Sequence, residues 1–172
     1  MPMEFIDNSI KVQGAINDAM KAWLLEASNE VASHAQRNCK MIEEGSEIGK
    51  QLKGSYKADH SEVDNGKAYV GTDMEAGYWE EFGTGSFAEK GNGRRGWWVY
   101  VKDGTEHAPN GGITYATREE AESVAASMRA EGLDAYATNG REPNHTLQNA
   151  FIKTKPTAEA RLAQIIQEGV GE

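Results

Sequence analysis

The sequence is poor in the residues that cross-link, anchor or export a protein. It has one cysteine, Cys39, among 172 residues, so no disulfide can form within the chain. A lone thiol in a helical pattern is more typical of a packed side chain than of a nucleophile. No apolar run approaches the roughly 20 residues that span a bilayer. The first residues, MPMEF, lack the regions of a signal peptide. We therefore expect a protein made in the cytoplasm, with no membrane partner.

Basic residues are also scarce. The chain has 18 Lys and Arg against 27 Asp and Glu, a formal net charge of −9. The densest basic cluster is Lys90, Arg94 and Arg95, which falls short of the patch that sequence-specific DNA binding requires. An acidic surface repels DNA and also keeps a protein soluble. Sequence-specific duplex binding is therefore not expected.

Recognisable motifs for catalysis, cofactors and metals are missing. The histidines lie on separate predicted elements without ligand spacing, so no zinc site is expected: His34, His60, His107 and His145. There is no phosphate-binding G-x-x-x-x-G-K loop and no G-x-S-x-G nucleophile turn. Glu80 and Glu81 are adjacent, but neighbours in a helix point about 100° apart, which does not make an acid–base pair. We expect no catalytic, cofactor-binding or metal-binding residues, and no enzyme activity.

Apolar periodicity predicts a long first helix. Apolar residues recur at three- and four-residue steps over 9–39, which predicts one buried face along about 45 Å of helix. A polar strand is predicted over 52–63, and Asn65-Gly66 predicts the turn of a β-hairpin that returns over 67–72. A short helical turn is predicted in the first part of 74–85, ended by Gly83 and Gly85.

The pattern from 97 to 139 predicts a β-β-α-β lobe. Strands are expected over 97–101, 113–116 and 133–138. Thr117 and Glu120 have the spacing of a capping box, and Gly132 is placed to end that helix. The tail is helical, with Pro143 at a first helical position, an apolar face of Leu147, Ala150 and Phe151, and a break at Pro156. We predict an α+β fold in which the long N-terminal helix packs on a small antiparallel sheet, with C-terminal helices. Its core is 1–96 and 140–172, and 97–139 is an inserted lobe.

Three segments, in order, resemble one family. The segment AGYWEEFGT (76–84) resembles the signature of tailed-bacteriophage head–tail joining proteins, also called neck, tail-completion or minor tail proteins. SEIGKQLKGS (46–55) is similar to the family's entry to its first strand, with two extra residues. PNHTLQNAF (143–151) is similar to its Pro-led C-terminal helix. The resemblance covers 5–93 and 141–169, and 97–139 departs from it.

The resemblance implies a structural virion subunit that is neither a catalyst nor a cofactor binder. It implies a cyclic homo-oligomer, with six copies as the expected number, between the head and the tail of the virion. Adjacent neck and tail proteins are the other partners, DNA passes through the channel as non-specific cargo, and assembly takes place in the host cytoplasm. The expected subunit interface is Tyr78, Trp79, Glu80, Glu81, Phe82, Gly83 and Thr84.

Three alternatives stay open at this point. The aromatic residues of 76–84 could anchor a contact between copies or close the core of the subunit. A related position in the virion, as tail terminator or minor tail protein, fits the same residues. A third alternative, from a different class, is a peptidoglycan- or partner-binding module built on the inserted lobe.

Overall fold

The computed structural model describes residues 9–40, 47–101 and 112–170, and within them it has the predicted α+β architecture. The long first helix packs on a small antiparallel sheet, as predicted. The described helices are α1 (Ser9–Asn38), α2 (Glu47–Ser55), α3 (Glu75–Phe82), α4 (Arg118–Ala130) and α5 (Thr146–Val170). The described strands are β1 (Lys57–Asp59), β2 (Tyr69–Gly71), β3 (Trp98–Val101) and β4 (Ala135–Thr138).

The chain forms two compact units. The first unit comprises Met1–Asn38, Gly54–Thr72 and Leu147–Glu172, and contains α1, the β1–β2 hairpin and most of α5. Here α1 packs on both strands of the hairpin. Hydrogen bonds reinforce this packing: Ser28 Oγ lies 3.0 Å from His60 Nε2, and Gln36 Nε2 donates to the Tyr56 carbonyl oxygen at 2.8 Å.

The hairpin is present, but its turn is longer than predicted. β1 and β2 pair antiparallel with Asp59 opposite Tyr69, so residues 60–68 form the connection. Asn65 ends a 3-10 turn, Val63–Asn65, and Gly66 follows it at φ +73°. The predicted two-residue turn at Asn65-Gly66 is therefore wrong. The loop has its own anchor, an ion pair of 2.6 Å between Lys21 Nζ on α1 and Asp64 Oδ1.

The prediction of a strand over 52–63 is wrong for its first part. Residues Glu47–Ser55 form α2, and the strand that follows is only Lys57–Asp59. Gly49 and Leu52 are buried three residues apart on one face of α2. Only these two positions mark the buried face, and polar residues stand between them. The apolar pattern was therefore too brief to predict α2 from the sequence.

The tail is a single helix through Pro156. α5 begins at Thr146, so Pro143 precedes the helix instead of opening it, and Pro156 does not break it. Ala150, Thr154 and Ile165 are buried on both sides of the proline, whereas Phe151 is 56% exposed and does not join the predicted apolar face. Trp23 Nε1 donates to the Ala158 carbonyl oxygen at 2.7 Å, which ties the second half of α5 to α1.

The second unit comprises Cys39–Lys53 and Asp73–Thr146. β3 and β4 pair antiparallel, from Trp98 opposite Thr138 to Val101 opposite Ala135. α4 packs on one face of these strands and makes a small core; its buried members are Val99, Ala121, Ala125 and Ala135. The predicted strand over 113–116 is only a single bridge between Trp97 and Tyr115.

The predicted ends of α4 are confirmed. Thr117 Oγ1 accepts from the Glu120 backbone N–H at 3.2 Å, and Glu120 Oε2 accepts from the Thr117 N–H at 3.4 Å, which is a capping box. Gly132 has φ +92°, and the next residue, Leu133, donates to the Met128 carbonyl oxygen at 3.0 Å. The strand–helix–strand order of 97–139 is thus present, while its status as an insertion into a core of 1–96 and 140–172 stays a prediction.

Candidate functional site

The site is built on α3, a helix of eight residues with two different faces. Ala76 and Glu80 are buried on one face, and Tyr78 is 42% exposed on the other. The Tyr78 and Phe82 rings, one turn apart, pack with their centroids 5.0 Å from each other. Lys90 Nζ lies 4.3 Å from the centroid of the Phe82 ring. α3 therefore presents an aromatic surface with a cation over it.

The opposite face is held by the buried carboxylate of Glu80, which is 0% exposed. Its Oε1 accepts from the Lys40 backbone N–H at 2.7 Å, from Asn144 Nδ2 at 2.8 Å and from Thr146 Oγ1 at 3.2 Å. These donors come from two segments far from α3 in sequence. The single oxygen atom thus fixes three parts of the second unit to one another.

The second oxygen of Glu80 faces a positive charge. Arg141 Nη2 lies 3.4 Å from Glu80 Oε2, and this oxygen has no hydrogen-bond partner among the described residues. A buried carboxylate is tolerated only where charge and hydrogen bonds compensate its loss of water. Glu80 is therefore a joint inside the subunit, because its charge is balanced by Arg141 and by the donors to Oε1.

The Gly-Thr end of the motif is fastened to the same segment. Gly83, at φ +72°, closes α3 by donating to the Trp79 carbonyl oxygen at 2.9 Å. Thr84 N–H then donates to the Arg141 carbonyl oxygen at 2.9 Å, and Arg141 N–H returns a bond to Thr84 Oγ1 at 3.0 Å. Residues 80–84 and 141–146 are consequently joined through backbone and side-chain bonds.

Gly85 is required by space as well as by conformation. Its φ is +58°, and a Cβ there would lie 2.5 Å from Trp98 Cη2 and 2.7 Å from the Gly140 Cα, besides colliding with the Asn139 carbonyl oxygen. Ser86 N–H donates to that same carbonyl oxygen at 2.8 Å. Only glycine permits this approach of the two chain segments.

The structure brings the predicted interface residues together but divides them by exposure. Tyr78 is exposed, and Trp79, Phe82 and Thr84 are half-buried. Glu80, Glu81 and Gly83 are buried within the subunit. Contact with another copy stays a prediction for the whole set. The sequence reasoning missed the partners Lys40, Arg141, Asn144 and Thr146; the polar run REPNHT (141–146) was the one available signal for three of them.

A second exposed aromatic pair lies on the β3–β4 sheet. Tyr100 and Tyr136 are opposite each other in register, 42% and 40% exposed, and their rings stack at 5.7 Å. The Asp134 carboxylate accepts a hydrogen bond from the Tyr136 hydroxyl and raises the pKa of Tyr136 above its usual value. These rings lie on the face of the sheet away from α4, because Val99 and Ala135 occupy the other face.

The described residues offer neither a metal site nor a membrane-spanning helix. Among residues 9–40, 47–101 and 112–170, no three His, Cys, Asp or Glu side chains are placed to hold a metal ion. Within the same ranges, no helix combines the length and apolar character needed to cross a membrane. Comparison with protein families, with curated proteins and with solved structures found no match for the chain.

Proposed function

We propose that this protein is a structural virion subunit that forms an oligomeric ring at the head–tail junction of a tailed phage. The ring joins or completes the tail and leaves a channel for DNA. The protein acts by binding copies of itself and adjacent neck and tail proteins, without a catalytic step. The proposal rests on the resemblance of 76–84 and its flanks to head–tail joining proteins, together with the geometry around Glu80.

The observation that carries the proposal is the meeting of two motif segments at Glu80. Asn144 and Thr146, which lie 64 and 66 residues from Glu80 in sequence, both donate to its Oε1. This internal joint fixes α3 from its buried side and leaves the Tyr78–Phe82 pair at the surface. Interface anchors are typically aromatic side chains held on a rigid support, since little freedom is then lost on binding.

A closed ring places a further demand on the subunit. Rotational symmetry without two-fold contacts needs two different surfaces on each copy, one for each neighbour. One candidate is the face of α3 that carries Tyr78 and Phe82, which we call the α3 surface. The other is α1 with the hairpin. Six copies is the number that the family resemblance implies.

The test is the phenotype of a virion without this protein. Loss of a joining subunit leaves full heads beside finished tails, unattached to one another. Overlong tails would instead identify a tail terminator, the alternative position in the virion. Normal infectious particles without the protein would contradict both positions.

A second candidate function is a partner-binding module on 97–139, with peptidoglycan among its possible ligands. The Tyr100–Tyr136 pair favours it, because stacked rings that are 42% and 40% exposed suit sugar or peptide contacts. A pull-down with purified peptidoglycan, using wild type and Tyr100→Ala/Tyr136→Ala, tests it. Binding that disappears in the variant would support the module, and wild-type protein that stays in the supernatant would remove it.

A further inference from the structure

The loop of residues 87–96 concentrates positive charge in an acidic protein. It carries Lys90, Arg94 and Arg95 in a chain of net charge −9. Its one carboxylate, Glu89, is already engaged, with Oε1 3.2 Å from His145 Nε2. Lys90 and Arg95 are exposed, and neither forms an ion pair with a described residue. Among the described residues, no carboxylate balances the charges of Lys90 and Arg95. We call residues 87–96 the cationic loop.

Two of its cations are held in place by aromatic rings. Lys90 Nζ lies over Phe82, and the Arg94 guanidinium lies 5.2 Å from the Trp98 ring centroid. Arg94 Nη2 also donates to the Ile113 carbonyl oxygen at 3.0 Å. Cation–π contacts restrict long side chains, so less freedom remains to be lost when these charges meet a partner. The side chains of Lys90 and Arg94 are therefore preorganised for contact with a partner.

The backbone of the cationic loop is tied to α3. Glu89 N–H donates to the Phe82 carbonyl oxygen at 3.0 Å, and Gly91 N–H donates to the Ala88 carbonyl oxygen at 3.2 Å. Gly93 lies so close to the Gly85 carbonyl oxygen that a Cβ would collide with it. The backbone of the loop and Lys90, whose Nζ lies over the Phe82 ring, therefore adjoin the Tyr78–Phe82 pair in the second unit.

The complementary charge is on α4. This helix and its C-cap carry four exposed glutamates: Glu119, Glu120, Glu122 and Glu131. Glu122 is paired with Arg129 and Glu120 completes the capping box. Glu119 and Glu131 form no ion pair with a described residue. Within the described part of the chain, two exposed cations of the cationic loop and two exposed carboxylates of α4 and its C-cap therefore form no ion pair.

We propose that the cationic loop of one copy binds the glutamates of α4 on the next copy in the ring. This inference rests on the proposed function and names the partner of the α3 surface. A second copy fits better than DNA, because three cations are few for a phosphate backbone and the net charge of −9 repels it. Head-to-tail symmetry lets every copy use both surfaces once.

Charge reversal in the full chain tests the proposal. Lys90→Glu/Arg95→Glu is compared with wild type, with Glu119→Lys/Glu131→Lys and with the four changes combined. The control, Lys50→Glu/Lys53→Glu, changes net charge equally at exposed positions of α2. We measure assembled mass at about 50 mM and about 500 mM salt, on either side of effective screening. Where the free chain stays monomeric, incorporation into particles is scored with the same variants.

The expected result is specific to the pairing. Each double reversal should weaken assembly about tenfold or more at low salt, and the combination should restore it, while the control assembles as wild type. Normal assembly of Lys90→Glu/Arg95→Glu, or no rescue by the combination, would overturn the inference and leave the ring intact. Unchanged assembly with lost retention of duplex DNA in a gel would assign the loop to DNA instead. A wild type that never assembles, alone or on particles, refutes the proposed function itself.

Discussion

Asn144 binds Glu80 twice, once with its side chain and once with its backbone. Its Nδ2 donates to Glu80 Oε1 at 2.8 Å, and its N–H donates to the Glu80 carbonyl oxygen at 2.8 Å. The pair fixes the segment before α5 to α3 at two points. The surface on the other side of α3 is consequently rigid, which is what an assembly contact on Tyr78 and Phe82 requires.

The first prediction concerns the buried charge. Glu80→Ala should lower the free energy of unfolding by about 3–5 kcal/mol, because it removes the negative charge that faces Arg141 and the acceptor shared by three donors. Glu80→Gln should cost less, about 1–3 kcal/mol, since an amide can still accept at Oε1 but presents donors toward Arg141. Chemical denaturation of the purified chain measures both. A loss below 1 kcal/mol for the alanine variant would contradict the role of Glu80 as a joint.

The second prediction distinguishes two reasons why a position requires glycine: a positive φ, and a lack of space for a side chain. Gly85 and Gly66 both have positive φ, at +58° and +73°, but only Gly85 is crowded; nothing lies within 4 Å of a Cβ on Gly66. Gly66→Ala should lower the free energy of unfolding by about 1 kcal/mol. Gly85→Ala should lower it by about 2 kcal/mol or more beyond that. Thermal unfolding of the two variants measures the difference. Equal losses would show that the contact with residues 139–140 tolerates a methyl group.

The third prediction concerns the aromatic surface. Tyr78→Ala should leave the melting temperature nearly unchanged, because the ring is 42% exposed, and should weaken assembly. Trp79→Ala and Phe82→Ala, at half-buried positions, should weaken assembly more than they weaken the fold. Truncating an interface anchor costs about 2–4 kcal/mol, or roughly 30- to 1000-fold in affinity. Collapsed melting temperatures for Trp79→Ala and Phe82→Ala would assign those two rings to the core of the subunit.

The fourth prediction is a pH dependence located at His34 on α1. Burial lowers the pKa of His34, the nearby cations Arg37 and Lys153 lower it further, and Glu30, with Oε1 3.8 Å from Nε2, opposes them weakly. The unfolded chain therefore binds a proton near pH 6.5 that the folded chain takes up only at lower pH. The resulting contribution to stability is present above that pH and is lost as the pH falls. His34→Gln should flatten this part of the stability profile, and an unchanged slope would contradict the assignment.

The sequence predicted correctly those helix ends that depend only on residues close to them in the chain. The capping box of Thr117 and Glu120, the glycine after α4 and the end of α3 at Gly83 follow from side-chain or backbone chemistry close in sequence. Pro156 shows the limit of such rules. α5 continues through it because Thr154, Ile165 and the Trp23–Ala158 bond hold both halves of the helix, which no local window contains.

The site was predictable only in part for the same reason. The motif 76–84 identified the residues, but nothing near Glu80 in sequence reveals that its partners are Lys40, Asn144 and Thr146. The helical spacing of Glu80 and Glu81 predicts only that they do not form an acid–base pair, whereas the burial of Glu80 depends on donors supplied by distant segments. The division of the motif into a buried joint and an exposed aromatic surface therefore needed the three-dimensional structure.

The central claim is that copies of this chain form a ring at the head–tail junction. The most direct test is cryo-electron microscopy of the assembled particle, with the position of the protein fixed by comparison with particles that lack it. The proposal predicts a closed ring, with six copies expected from the family resemblance, in which the α3 surface of each copy faces a neighbour. A single copy per particle, or no density for the protein at the junction or along the tail, would contradict it.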